Sequence, residues 1–142
     1  MASSFPFPTG RFKLKVRGRG VIAKDERMSH DPMEARLAML RRVGGDRLIR
    51  DLIDMLHEDA PRKLAAARAA LAAGDADGVG RVAHALASSA GNLGAADMRQ
   101  AAADLERDAA DGQDLAGPLR RLEASWERTR DLLAEKKRGL PL

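Results

Sequence analysis

Three histidines, His30, His57 and His84, are the side chains of this 142-residue chain best suited to nucleophilic or metal chemistry; it has no Cys. They fall in three different segments with no HxxxH spacing, so a shared metal site is not expected. His57 is followed by Glu58 and Asp59 and reads as a solvated helix end. His30 sits just ahead of a helix start and reads as exposed. His84 differs because of its place on a helix. Val79, Val82, Ala83, Leu86 and Ala90 mark a buried stripe, and at about 100° per residue His84 falls on the outer edge. Gly80, Arg81, Ala87 and Ser88 share that surface, and three of these four are small. An imidazole rising from a bare patch suits a nucleophile that another macromolecule must reach. A neutral ring can attack a phosphorus atom in line, and Arg81, one turn earlier, can offset phosphoryl charge. On spacing alone, an ordinary surface histidine is the commoner meaning of such a position.

Other chemistry is poorly represented. Gly78, Gly80, Gly91 and Gly94 lack both the strand-turn-helix setting and the Lys of a phosphate-cradling loop. Acidic pairs such as Asp104 and Asp108 read as solvated helix faces.

The elements that must carry His84 are helical. Asp31 is a candidate N-cap, with Pro32 at the first position, Glu34 closing a capping box, and Leu37, Leu40 and Val43 as a short stripe. Gly44-Gly45 ends that helix, and Asp46 is placed to cap the next. Leu48, Ile49, Leu52, Ile53 and Leu56 follow the i, i+3, i+4 rule. Pro61 interrupts without necessarily ending this rod, and Leu64, Ala67 and Leu71 lead to Gly74 as a stop. Asp75 caps the His84 helix, which stops at Gly91-Asn92-Leu93-Gly94. Met98, Ala102, Leu105 and Ala109 form the next stripe, up to Gly112. Pro118 opens a last helix with Leu119, Leu122, Trp126, Leu132 and Leu133 inside, ending near Gly139. Short loops force antiparallel neighbours, predicting an all-α, up-down four-helix bundle with an additional short N-terminal helix.

Composition agrees. Ala and Leu dominate an apolar share that holds one Trp, three Phe and no Tyr, which suits packed helices better than a sheet. The absence of Cys fits a reducing, cytoplasmic setting. No apolar run nears the roughly 18 residues of a membrane span, and no secretory signal is legible. The formal charge of +4 is unevenly spread: residues 1–27 hold seven basic residues against two acidic ones, leaving 18 basic and 19 acidic residues downstream. The basic signal therefore belongs to the leading segment, which also holds Phe5, Phe7 and Phe12. With Pro6, Pro8, Gly10, Gly18 and Gly20 and no helical period, that segment is expected to be a disordered extension, a short strand over 11–17 being the alternative. The domain boundary is expected at 27/28. Lys24-Asp25-Glu26 can be encoded by a purine-rich stretch resembling a ribosome-binding site, which makes Met28 a candidate start.

The run Arg81-Val82-Ala83-His84-Ala85-Leu86-Ala87-Ser88-Ser89-Ala90-Gly91-Asn92-Leu93-Gly94-Ala95 resembles the signature of histidine-containing phosphotransfer (HPt) domains. Downstream, Met98, Ala102 and Leu105-Glu106 match that family's spaced apolar positions and its Leu-Glu pair. Upstream, Gly45-Asp46, Leu48 to Leu64 and Gly74-Asp75 resemble its approach to the histidine helix, so the similarity covers about residues 34 to 133. The resemblance implies that His84 accepts a phosphoryl group from an aspartyl phosphate on a receiver domain and passes it to another receiver. It implies no ATP hydrolysis and no cofactor of the chain's own, the Mg²⁺ being supplied by the receiver. Two positions depart from the pattern: the family's Lys is Ala87 and its Gly is Ser88. Ser88 is still small and could hydrogen-bond the imidazole. The lost Lys removes a charge worth about 1 kcal/mol at an exposed site, which Arg81 or Gln100 could replace.

The expected partner surface is Gly80, Arg81, Ala87, Ser88 and Gln100, facing a receiver of a response regulator or hybrid kinase, with no small-molecule substrate and no membrane. With about 115 residues from Met28 onward, a free-standing phosphorelay protein is the leading expectation. A non-catalytic module of the same fold, binding its partner through the same surface, is the second. Nucleic-acid binding through the basic leading segment is the third, and it is disfavoured because the helices carry no basic stripe with interleaved aromatics. Translation from Met28 predicts a native intact mass that lacks the first 27 residues; a mass that includes them rejects that start.

Overall fold

The Asp31 carboxylate accepts hydrogen bonds from the backbone N–H groups of Met33 and Glu34, and Pro32 occupies the first helical position behind it. This opens α1 (Pro32–Ala72), the first helix of the computed structural model, which describes residues 31–141. The leading segment, its boundary at 27/28, His30 and the possible start at Met28 lie outside the described residues. Beyond α1 come α2 (Ala76–Asn92), α3 (Ala96–Ala110) and α4 (Ala116–Arg138), and no strand occurs among the described residues.

α1 is two helices joined at a bend. Gly45 has φ 72° and ψ −172°, which separates a short N-terminal arm from the long rod. The predicted extra helix is this arm. The rod continues through Pro61 without leaving helical backbone, and the missing N–H of that proline leaves the His57 carbonyl without its usual helical partner. Each helix packs on its neighbours in the chain, and α1 closes against α4, giving the up-down ring expected from short connections.

The core is built from leucine and isoleucine with alanine where helices approach closely. Ile49, Ile53, Leu86, Met98, Leu105, Leu122 and Leu133 are fully buried, as are Ala60, Ala67, Ala83, Ala90 and Ala102. The arm adds Met33, Leu37 and Leu40. It also closes the end of α2, where the Arg36 Nε donates to the Asn92 carbonyl at 2.9 Å. Surface ion pairs join α1 to α4 (Arg68–Glu123, Asp54–Lys137 and Glu34–Lys136) and α3 to α4 (Asp97–Arg128). Exposed pairs of this kind contribute about 0–1 kcal/mol each.

Several expectations need correction. Val43 is 74% exposed, because the bend at Gly45 redirects the chain before the stripe's last member meets a neighbour. Leu132 is 40% exposed, since it lies one residue off the Leu122, Trp126, Thr129, Leu133 stripe that faces inward. Glu34 does not close a capping box; its carboxylate reaches Lys136 instead. Asp46 accepts from the Arg41 Nε at 2.9 Å across the bend. α4 begins two residues before Pro118, at Ala116. His57 is no solvated helix end. It is half-buried mid-rod, its ring edge-on to Trp126 with centroids 5.7 Å apart. Its Nδ1 lies 3.0 Å from the Ile53 carbonyl and its Nε2 3.3 Å from the Arg130 carbonyl, so the ring ties α1 to α4.

The α2–α3 turn depends on Gly94. It has φ +71°, and a Cβ there would lie 2.5 Å from the Pro32 carbonyl oxygen and 2.8 Å from Met33 Cα. Gly112, at the α3–α4 turn, has the same φ but nothing within 4 Å of an added Cβ. Gly112→Ala should therefore cost only the left-handed backbone penalty, about 1–2 kcal/mol. Gly94→Ala should cost a further ~1–3 kcal/mol as the arm is pushed away. Urea unfolding midpoints measure both, and equal losses would contradict the clasp between arm and turn.

Candidate functional site

α2 begins where the Asp75 carboxylate accepts from the Gly78 N–H at 2.9 Å. From there Val79, Ala83, Leu86 and Ala90 are each 0% exposed, which fixes the rotation of the helix. The same rotation turns His84 outward, with its side chain 69% exposed. Arg81 and Ser88 are exposed beside it, and Gly80 and Ala87 are half-buried.

The imidazole is not free-standing. Its Nδ1 lies 3.0 Å from Glu106 Oε2 on α3, while Nε2 has no hydrogen-bond partner among the described residues. Sequence reading noted Glu106 only as half of a Leu-Glu pair and gave it no role. The signal was available in the register: at about 1.5 Å per residue, the two residues sit roughly 12 Å and 15 Å from a short antiparallel turn, at similar heights on adjacent helices. Glu106 has no ion pair with Lys or Arg among the described residues; neighbouring Arg107 pairs with Asp104 instead.

His84 and Glu106 stand on the rim of a shallow depression of about 390 Å³ between α2 and α3. Ala76, Gly80, Ala109 and Ala110 form its floor, and Asp77 and Arg81 complete the rim. Arg81 makes no ion pair among the described residues, so its guanidinium is available beside the ring. Gln100 is not brought to this group; its amide donates to Asp104 Oδ1 at 2.9 Å along its own helix. The Ser88 hydroxyl makes no hydrogen bond to the ring, whose engaged nitrogen is taken by Glu106. On the flank of α2 facing α1, the 63% exposed Met55 stands at a groove shared with Leu52, Ser89 and Asn92.

Chemically, the arrangement offers one unblocked ring nitrogen at the rim of a shallow depression, an orienting carboxylate, and a cation without an ion pair among the described residues. Among the described residues, the depression beside the ring is shallow and open. Among the described residues no group of three or more His, Asp or Glu side chains is placed to hold a metal ion, and no helix is long and apolar enough to cross a membrane.

The Hpt domain model matches residues 51–135, a segment that includes most of the α1 rod, the whole of α2 and α3, and most of α4. No curated protein matches the chain. Among solved structures, the fold is similar to that of histidine-containing phosphotransfer protein B from Pseudomonas aeruginosa PAO1. The TM-score is 0.72 at 25% identity, over 80% of this chain and 99% of that one.

The two described rings differ in their surroundings, which predicts an order of chemical reactivity. Diethyl pyrocarbonate should modify His84, with its open Nε2, well before His57, whose nitrogens both face carbonyls. Peptide mass spectrometry over a reaction time course reads this directly, and faster modification of His57 would contradict the geometry.

Proposed function

Because the chain belongs to the Hpt domain family, we propose that it relays phosphoryl groups between receiver domains, with His84 as the phosphoacceptor. The observation that carries this reading is the open Nε2 of an outward-turned imidazole on a face of small residues. In the forward step the Nε2 lone pair attacks the phosphorus of a receiver's aspartyl phosphate. The N–P bond forms, the acyl P–O bond breaks, and the aspartate leaves as a carboxylate. The return step delivers the group to the aspartate of a second receiver. The receiver supplies Mg²⁺ and the acidic pocket that surrounds the transferring group, so the chain contributes a nucleophile and its orientation and needs no ATP.

The docking face runs over Gly80, Arg81, Ala87 and Ser88, which leave room for a partner's loops around the ring. A protein–protein contact of ordinary size covers about 800 Å² on each side. Centred on His84, such a footprint extends along α2 to Ser89, which shares a groove with Met55 of α1. A cytoplasmic response regulator or hybrid kinase is the kind of protein that carries the receiver. Arg81 is the cation that faces the phosphoryl group in this chain, taking the part that Ala87 cannot.

A second reading is favoured by one observation, the alanine at position 87. On it, the same face binds a receiver without moving a phosphoryl group.

Incubation with a phosphorylated receiver separates the two. Wild type should be labelled and His84→Gln should not. Equal labelling of both rejects His84 as the acceptor, and undiminished binding without any label in the wild type supports the second reading. Ala87→Lys should raise the transfer rate or the phosphohistidine lifetime by about two- to fivefold, the worth of one exposed charge. Arg81→Ala should lower them by a similar factor. Rapid-quench gels measure both.

A further inference from the structure

We infer that the seam between α1 and α4 holds a second binding site, one for a small soluble anion with an apolar body. Neither helix lines the depression beside His84, so this site stands independently of the phosphorelay reading.

The seam opens into a cavity of about 740 Å³, nearly twice the volume of the depression beside His84. Sites for small ligands commonly span about 300–1,000 Å³. Ala134 and Leu140, both half-buried, give the cavity an apolar lining, and the half-buried ring of His57 stands beside them. That ring faces the Ile53 and Arg130 carbonyls, so both helices fix the wall it forms. Leu140 packs against the core just beyond α4, and the next residue, Pro141, accepts at its carbonyl from Arg50 at 2.6 Å. The apolar body of a ligand would therefore meet a surface already in place.

Charge decides what the other end of the ligand must be. Arg50, Lys137 and Arg138 line the cavity together with a single carboxylate, Asp54. Asp54 pairs with Lys137 at 2.6 Å. Neither Arg50 nor Arg138 makes an ion pair among the described residues, and the neutral Pro141 carbonyl leaves the charge of Arg50 uncompensated. Cations in the last turn of a helix offset its dipole, which accounts for Lys137 and Arg138 by themselves. It does not account for Arg50, which α1 brings to the same cavity. Two guanidinium groups from two helices suit a phosphate or carboxylate, through charge-assisted hydrogen bonds. A bare anion would leave the apolar lining unused, and a neutral apolar molecule would leave the cations unused. The ligand that uses both is amphipathic.

Octyl phosphate, kept below its micelle concentration, is the probe. Inorganic phosphate, octyl glucoside and phosphatidylglycerol vesicles are the comparisons, followed by amide ¹H–¹⁵N spectra of the full chain. Octyl phosphate should shift the amides of His57, Ala134 and Leu140 saturably. Inorganic phosphate should bind roughly tenfold more weakly or worse, the worth of two buried methylenes. Octyl glucoside forgoes both cations and should bind about fivefold more weakly or worse. Arg138→Ala and Arg50→Ala should each weaken octyl phosphate about two- to fivefold. Arg50→Ala also releases Pro141, so Arg50→Lys, which keeps the charge, should recover most of the loss. Arg120→Ala removes the same charge about 27 Å away along α4 and should bind like wild type.

Undiminished binding by Arg138→Ala, or octyl glucoside binding as tightly as octyl phosphate, overturns the anion site. Saturable shifts confined to other faces overturn its placement. Attachment to the vesicles without saturable binding of octyl phosphate overturns the soluble ligand in favour of a lipid surface.

Discussion

The rotation of α2 about its own axis is the constraint on which everything else depends. Val79, Ala83, Leu86 and Ala90 must face the core together, and each is completely buried. A helix has one angular setting that satisfies all four, and that setting turns His84 to solvent. The alanines matter as much as the larger residues. They let α2 and α3 approach closely enough for Glu106 to reach across to the ring. Packing and chemistry are thus set by the same few positions, and a one-residue slip of the stripe would carry the imidazole toward the interior.

Most of the scaffold was legible in the sequence because its signals are local. Asp31 and Asp75 cap helices through hydrogen bonds to residues two or three positions away. Gly74, Gly94 and Gly112 adopt positive φ at helix ends. The outward direction of His84 followed from periodicity within a single helix. Legibility failed where the partner was distant in the chain. Glu34 meets Lys136, and Asp46 meets Arg41 across a bend whose angle no local pattern specifies. Glu106 was visible as a residue but not as a ligand of the ring, since that requires the relative rotation of two helices.

The two described histidines show how far residue type alone can mislead. His57 stands among acidic neighbours in sequence, yet its ring lies against Trp126 and bridges backbone carbonyls of two helices. Its role is to hold α1 on α4. His84 has apolar neighbours in sequence, yet its ring is the more exposed of the two. Along a helix, adjacent residues point about 100° apart, so the chemistry of sequence neighbours says little about the surroundings of a side chain.

The arm ahead of the bend carries a further implication. The segment matched by the family model starts at residue 51, whereas Met33, Leu37 and Leu40 lie before it and are buried in the same core. Arg36 also ties this arm to the last turn of the histidine helix. The buried core of this protein is consequently longer in sequence than the stretch matched by the family model. Trimmed to that stretch, the bundle would lose its roof and display an oily opening where the helical hairpin turns.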